Sequence, residues 1–212
     1  MSAKEIINEI VGLDEKISDL MNRFEDIPIG ERIGALSVIC DEAMKTIGPD
    51  DRVPMLLVRA TDMVSTLEKD AALILSRGLD HPNMDIRQLS GEALLALCDG
   101  VVAEILPAVD NALEAGGHAA QEMPFILALM DDPEASGQIV RFLDLEDSDA
   151  VVAAIEALAE LGDPDTVPAL TRLANDKRAV TIEGEDDEDL LDWTVGKLAL
   201  EAVEMIGVEE EE

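Results

Sequence analysis

Apolar side chains near the start of the chain recur at alternating spacings of four and three residues. This spacing is typical of one face of an amphipathic α-helix, and it predicts a helix over residues 3–23. We expect this helix either to cover the core beside it or to form the seam of a coiled dimer. The stripe consists of Ile6, Ile10, Leu13, Ile17, Leu20 and Phe24.

The helical periodicity continues beyond this segment. Residues 30–47 predict a second helix, which the glycine–proline pair at 48–49 ends because proline cannot continue a helix. A third helix is predicted to begin near Asp50. The sequence Ser-Thr-Leu-Glu at 65–68 predicts a capping box for a fourth helix that ends near Gly78. Strand-like alternation is scarce, so we predict an all-α protein.

The second half of the chain contains similar segments, which indicates an internal repeat. Residues 86–97 align with 151–161 when Glu92 is placed on Glu156, an offset of 64 residues or two units of 32. A unit of about this length holds two helices of three to four turns and two short connections.

The turns between these segments repeat as well. Met-Asp-Asp-Pro at 130–133 falls 31 residues before Leu-Gly-Asp-Pro at 161–164. Residues 201–207 match 156–162 at an offset of 45, which indicates an insertion of about 14 residues, at 175–188. This insertion is either a solvated loop or a loop that contacts a partner.

These segments resemble HEAT repeats, in which a helix with an early proline precedes a turn carrying Asp and a helix with the pattern Val-Arg-x-x-Ala-x-x-Ala-Leu. The best matches are residues 80–97, with Arg87, and residues 148–173; residues 193–207 match in part. The resemblance implies a right-handed α-α superhelix of about eleven helices, in which stacked repeats share one core.

The chain departs from the family pattern at two positions. Val152 stands where the family usually has an arginine, so a continuous ladder of Asp–Arg pairs is not expected. Pro124 interrupts the apolar pattern near residues 121–130, so we expect that helix to be short, to be kinked or to begin there.

We predict three parts along the chain. Residues 1–66 form atypical helical hairpins that cap the array, and residues 67–207 form HEAT-like repeats that carry the insertion at 175–188. Residues 208–212 are an acidic tail.

The charge is one-sided, with 48 acidic and 15 basic side chains and a formal net charge of −33. This balance disfavours nucleic acids and anionic membranes, because both are bound through lysine and arginine. It suits a partner with a basic surface, or alternatively it maintains solubility in a salt-rich cytoplasm. The start of the chain lacks the basic and apolar regions of a signal peptide, so a cytoplasmic location is expected.

The candidate reactive residues are few. His81 and His118 are expected to be surface turn residues, because neither has a second ligand at metal-binding spacing. Cys40 and Cys98 lie in apolar helical segments and are expected to be buried free thiols. We therefore predict no catalytic residues, no cofactor and no metal site.

The predicted function is a non-catalytic scaffold, a monomer or weak dimer, that binds another protein through its curved helical surface. One alternative is an enzyme or cofactor-handling protein similar to a phycobilin lyase, with a pocket that gathers His118 and Trp193. Another is a nucleic-acid mimic. The predicted partner contacts are Arg87, Lys177, Arg178, Glu183, Glu185, Asp186, Asp187 and Trp193.

Overall fold

The structure is a computed structural model. It describes residues 26–45, 69–98, 100–180 and 193–209, together with 12, 13, 16, 18–20 and 22–24. The predicted helix from Asp50 and the capping box at 65–68 lie outside these residues. The division into three parts stays a prediction.

Most of the described residues are helical. The elements are α1 (Ile29–Lys45), α2 (Lys69–Ser76) with a 3-10 turn (Arg77–Asp80), α3 (Met84–Cys98), α4 (Val102–Ala115), α5 (Gly117–Ala128), α6 (Ala135–Val140) with a 3-10 turn (Arg141–Asp144), α7 (Ser148–Leu161), a 3-10 turn (Pro164–Thr166) with α8 (Val167–Thr171), and α9 (Val195–Glu209).

From α2 onward the helices form two rows in four layers. The first helices of the layers are α2, α4, α6 and α8, and the second helices are α3, α5, α7 and α9. Each first helix packs against the second helix of its own layer. In the second row, α3 packs on α5, α5 on α7 and α7 on α9, while α2 packs on α4 in the first row. This stacking is that of an α-solenoid, so the predicted all-α solenoid is confirmed. Its right-handedness stays a prediction.

The repeat is visible in which positions are buried. On α3, α5 and α7 five buried positions coincide when the helices are offset by 33 and then by 31 residues, which together give the offset of 64 found in the sequence. The five sets are Ile86, Ala119 and Ala150; Ser90, Met123 and Ala154; Gly91, Pro124 and Ile155; Ala93, Ile126 and Ala157; and Leu94, Leu127 and Leu158.

The same offsets correct the assignment of the missing arginine. Arg87 corresponds to Val151, which is buried, and not to Val152. The position faces the core in α7, where a guanidinium group would lose its hydration, and this explains why an apolar residue stands there.

Pro124 lies within a helix. Helix α5 begins at Gly117 and continues to Ala128, so the alternative in which it begins at Pro124 is wrong. The helix is short, with 12 residues. The proline ring is buried at the position that Gly91 and Ile155 occupy in the neighbouring second helices, where it serves as a core side chain.

The prediction that His81 is a surface residue is wrong, because its side chain is fully buried. The turn that precedes it packs closely on α3, since a methyl group added at Gly78 would overlap the side chain of Ser90. Nδ1 of His81 accepts a hydrogen bond from the backbone N–H of Asn83 at 2.9 Å, while Nε2 is buried without a partner. His118 is exposed, as predicted, in the first turn of α5.

Both cysteines are free and buried, as predicted. Cys40 lies on the buried face of α1 with Ile33 and Leu36. Loss of hydration, reinforced by the charge of Asp41, raises the pKa of the Cys40 thiol to about 12.

The described positions between 12 and 24 are helical, in agreement with the predicted first helix. Two residues of its apolar stripe, Leu13 and Leu20, are about half exposed, and Phe24 is partly buried. Leu13 and Leu20 therefore do not cover the core completely. The alternative of a coiled dimer stays a prediction.

A candidate protein-binding face

The exposed sides of the second helices form a continuous surface, which we call the second-helix face. Corresponding positions on α3, α5, α7 and α9 follow from the buried pattern and from the offset of 45 between α7 and α9. The face consists of Gln88, Gln121, Val152 and Lys197; Glu92, Phe125, Glu156 and Glu201; Leu95, Ala128, Ala159 and Glu204; and Ala96, Leu129, Glu160 and Met205.

A groove of about 280 Å³ lies on this face between α3 and α5. Its apolar lining includes Leu95, Phe125, Ile126 and Leu129. Leu129 is 68% exposed although its helix neighbours Ile126 and Leu127 are buried. A leucine this exposed beside a partly buried aromatic ring gives a binding partner an apolar surface to cover.

One end of the groove is closed by a buried ion pair. Nε of Arg87 lies 2.9 Å from Oε1 of Glu122, and the Arg87 side chain is only 13% exposed. Nη1 of Arg87 also donates to the carbonyl oxygens of His81 at 3.0 Å and Pro82 at 3.4 Å. The guanidinium group therefore fixes the turn before α3 and does not point to solvent.

Carboxylates stand on both sides of the apolar centre. Glu92 on α3 and Glu156 on α7 occupy the positions that correspond to Phe125 on α5, and both are exposed. The Glu92 carboxylate accepts a hydrogen bond from Nε2 of Gln88 at 2.9 Å. Loss of hydration raises the pKa of the Glu156 carboxyl, which shows that this charge stands beside protein atoms that exclude water.

The ends of the predicted insertion are held together. Ala179 and Thr194 form an antiparallel bridge, and the N–H of Val180 donates to the carbonyl of Trp193 at 3.1 Å. Residues 181–192 lie outside the described part of the chain. The bridge fixes where the inserted segment leaves and re-enters the fourth layer.

Gly196 fits this junction closely. A methyl group added there would lie 2.8 Å from each of the carbonyl oxygens of Leu173, Ala174 and Asp176. The N–H of Gly196 donates to the Asp176 carbonyl at 3.1 Å. The start of α9 is thus docked backbone against backbone on the turn after α8.

Arg178 is the centre of the same junction. It forms a bidentate pair with the carboxylate of Asp176, at 3.0 Å from Nε and 2.7 Å from Nη2. Nη1 donates to the carbonyl oxygens of Leu145 at 2.8 Å and Glu146 at 3.1 Å. The hydrogen bonds from Arg178 are the main reason why the pKa of Asp176 is lowered.

These contacts separate the predicted partner residues into different groups. Arg87 and Arg178 have their guanidinium groups occupied within the chain, which argues against a role in binding a partner. Lys177 is exposed beside the bridge, and Trp193 is partly buried against the core. The other four, Glu183, Glu185, Asp186 and Asp187, lie outside the described residues.

The sequence analysis missed both the second-helix face and a set of ion pairs between layers. Arg141 pairs with Asp110 at 2.7 Å, and Arg172 pairs with Asp144 at 3.4 Å. A signal for part of this set was present, because Arg-Gly-Leu-Asp at 77–80 and Arg-Phe-Leu-Asp at 141–144 are separated by the repeat offset of 64.

The aspartates of the turns cap helices, as predicted. Asp132 accepts hydrogen bonds at 2.9 Å from the N–H groups of Glu134, in its own turn, and of Val102, at the start of α4. Asp163 accepts from the N–H of Asp165 at 3.0 Å. Among the residues that the structure describes, no group of three or more His, Cys, Asp and Glu side chains is placed to hold a metal ion.

A comparison with protein-family models gives one match, over residues 118–183. The family is that of HEAT repeats. The predicted resemblance is confirmed for this segment, which runs from α5 past α8 and includes the α5 and α7 parts of the second-helix face. Searches of the curated proteins and of the solved structures found no match. In the described part of the chain no helix is both long and apolar enough to span a membrane.

Proposed function

We propose that this chain is a non-catalytic scaffold that binds another protein through its second-helix face, and that the partner surface is basic. The observation that carries the proposal is the apolar groove at Phe125 and Leu129 with Glu92 and Glu156 on its two sides. An apolar centre surrounded by polar groups is the usual arrangement of a protein-binding surface.

The similarity of residues 118–183 to HEAT repeats supports this proposal, because HEAT repeats generally mediate protein–protein interactions. The charge supports it as well. With a net charge of −33, long-range attraction favours cationic surfaces and speeds their association.

A cytoplasmic location is part of the proposal. It is supported by Cys40 and Cys98, which are both free in the folded chain. Free thiols are usual where glutathione and thioredoxin keep cysteines reduced.

Site-specific photo-cross-linking in cells of the native organism tests the proposal. A photoreactive amino acid replaces Leu129 in the groove or, as the control, Val38 on α1, which is 61% exposed. We expect a discrete cross-linked protein from position 129 that is absent from position 38. The adduct should weaken when Phe125→Ala is added, because the ring is the largest apolar side chain of the groove.

Two outcomes would contradict the scaffold. One is equal labelling of the same proteins from both positions, which would show that the groove has no specific partner. The other is turnover of a small molecule by the purified chain that Phe125→Ala abolishes, which would favour the enzyme alternative.

A further inference from the structure

The centre of the second-helix face has a regular chemical order across three layers. The corresponding positions on α3, α5 and α7 carry Glu92, Phe125 and Glu156, so that an aromatic ring stands between two carboxylates. Packed helices have axes about 8–10 Å apart. The two carboxylates therefore lie about one helix spacing to either side of the ring.

This spacing matches an α-helix that crosses the three layers. Seven residues of an α-helix span about 10 Å and return to nearly the same side of the helix. A crossing helix therefore presents residues i, i+7 and i+14 to α3, α5 and α7 in turn. The matching order in the partner is cationic, apolar, cationic.

The polar groups of the face also favour a helical partner over an extended one. An extended peptide brings backbone carbonyls that require donors, whereas a helix satisfies its own backbone groups. The exposed polar side chains at the groove are mostly acceptors. Among the donors, the Arg87 guanidinium is occupied by Glu122 and backbone carbonyls, and Nε2 of Gln88 already donates to Glu92.

We propose that the second-helix face binds a basic amphipathic α-helix of a partner protein, with an apolar side chain in the groove beside Phe125 and lysine or arginine seven residues to either side, at Glu92 and Glu156. This inference rests on the proposed function and specifies the kind of partner. It requires no change in the conformation of the described helices.

The probes are synthetic 15-residue peptides, measured by fluorescence anisotropy with the full chain. The matched peptide has lysine at its first and fifteenth positions and leucine at its eighth, in a background of alanine and glutamine. The shifted peptide has the same composition with the lysines moved to the fourth and twelfth positions. A polyproline peptide with the same three side chains three residues apart, a spacing of about 9 Å, represents an extended partner.

We expect the matched peptide to bind about ten-fold more tightly than the shifted one and more tightly than the polyproline peptide. Glu92→Gln and Glu156→Gln should each weaken binding of the matched peptide about two- to five-fold, the range for an exposed ion pair. The control Glu114→Gln makes the same charge change at an exposed residue of α4 and should leave binding unchanged.

Equal binding of the matched and shifted peptides would overturn the inference, since net charge alone would then explain the affinity. Tighter binding of the polyproline peptide would replace the helix by an extended partner. An equal effect of Glu156→Gln and Glu114→Gln would remove Glu156 from the site. Each of these results leaves the scaffold proposal standing if cross-linking from position 129 succeeds, so the two failures are distinguishable.

Discussion

Arg87 and Arg178 bind equivalent pairs of backbone carbonyl groups in two different layers of the solenoid. Arg87 donates to the carbonyls of His81 and Pro82, and Arg178 donates to those of Leu145 and Glu146, which lie 64 residues further along the chain. Arg87 reaches its pair from the helix that follows, whereas Arg178 reaches its pair from the next layer. The requirement for a donor at this turn is therefore conserved within the chain, although the arginine that supplies it is not in the same place.

We expect Arg178→Gln to lower the free energy of unfolding by about 2–3 kcal/mol, because it leaves two carbonyls and the Asp176 carboxylate without their donor. Urea denaturation followed by circular dichroism measures the change. Lys177→Gln is the matched control and should change stability by less than about 0.5 kcal/mol, since Lys177 is exposed. Equal losses from both variants would show that only the charge matters.

The sequence predicted the layers of the solenoid because apolar spacing and repeat offsets depend on local helix geometry. The core of α7, for example, follows from its row of alanines and Leu158. The binding face was not predicted, because Leu129 differs from a core leucine only in which side of α5 it occupies. His81 was placed at the surface for a similar reason, since its burial depends on how closely the preceding turn approaches Ser90.

The acid stability of the chain should depend on two aspartates. The pKa of Asp176 is lowered by the hydrogen bonds from Arg178, and that of Asp132 by the N–H groups of Glu134 and Val102. A carboxyl whose pKa is lower in the folded state stabilises the fold above its ordinary pKa of about 4 and loses this contribution as the pH falls through the folded value. We expect Asp132→Asn to reduce the loss of stability between about pH 4 and pH 2, measured by urea denaturation at each pH.

Asp131→Asn is the control for this experiment, because it makes the same charge change at the preceding, exposed residue. General relief of charge repulsion on protonation affects both variants alike. Identical pH profiles for the two variants would mean that the hydrogen bonds of Asp132 do not contribute.

Gly78→Ala should destabilise the first layer, because the added methyl group overlaps the side chain of Ser90 in a buried turn. We expect a loss of about 1–3 kcal/mol in the free energy of unfolding. Gly34→Ala is the comparison, since it lies on an exposed side of α1 with no atom within 4 Å of the added methyl group. That variant should gain about 0.5–1 kcal/mol from helix propensity. A gain from both would indicate that the turn moves away from α3 at little cost.

Cys40 should be inert toward thiol reagents in the folded chain. With its pKa raised to about 12 by burial, only about one thiol in ten thousand is ionised at pH 8, and the thiolate is the reactive form. The thiol stabilises the fold below its ordinary pKa, and this contribution is lost as the pH rises toward 12. We expect no reaction with a chromogenic disulfide at pH 8, and two reactive thiols after denaturation. Rapid labelling of Cys40 without denaturant would show that α1 separates from α2 in the native state.

The net charge of −33 gives the last prediction, because its two explanations respond differently to salt. Charge repulsion acts over about 10 Å at 0.1 M salt and about 3 Å at 1 M, so added salt should raise the free energy of unfolding. A chain adapted to a salt-rich cytoplasm should lose its helical signal in 0.1 M sodium chloride and regain it near molar salt. A chain that uses the charge to bind a partner should be folded at 0.1 M, where the affinity of the matched basic peptide should fall as salt is added. Circular dichroism and anisotropy over the same salt series measure both quantities, and a folded chain whose peptide affinity does not change with salt would contradict the electrostatic part of the proposal.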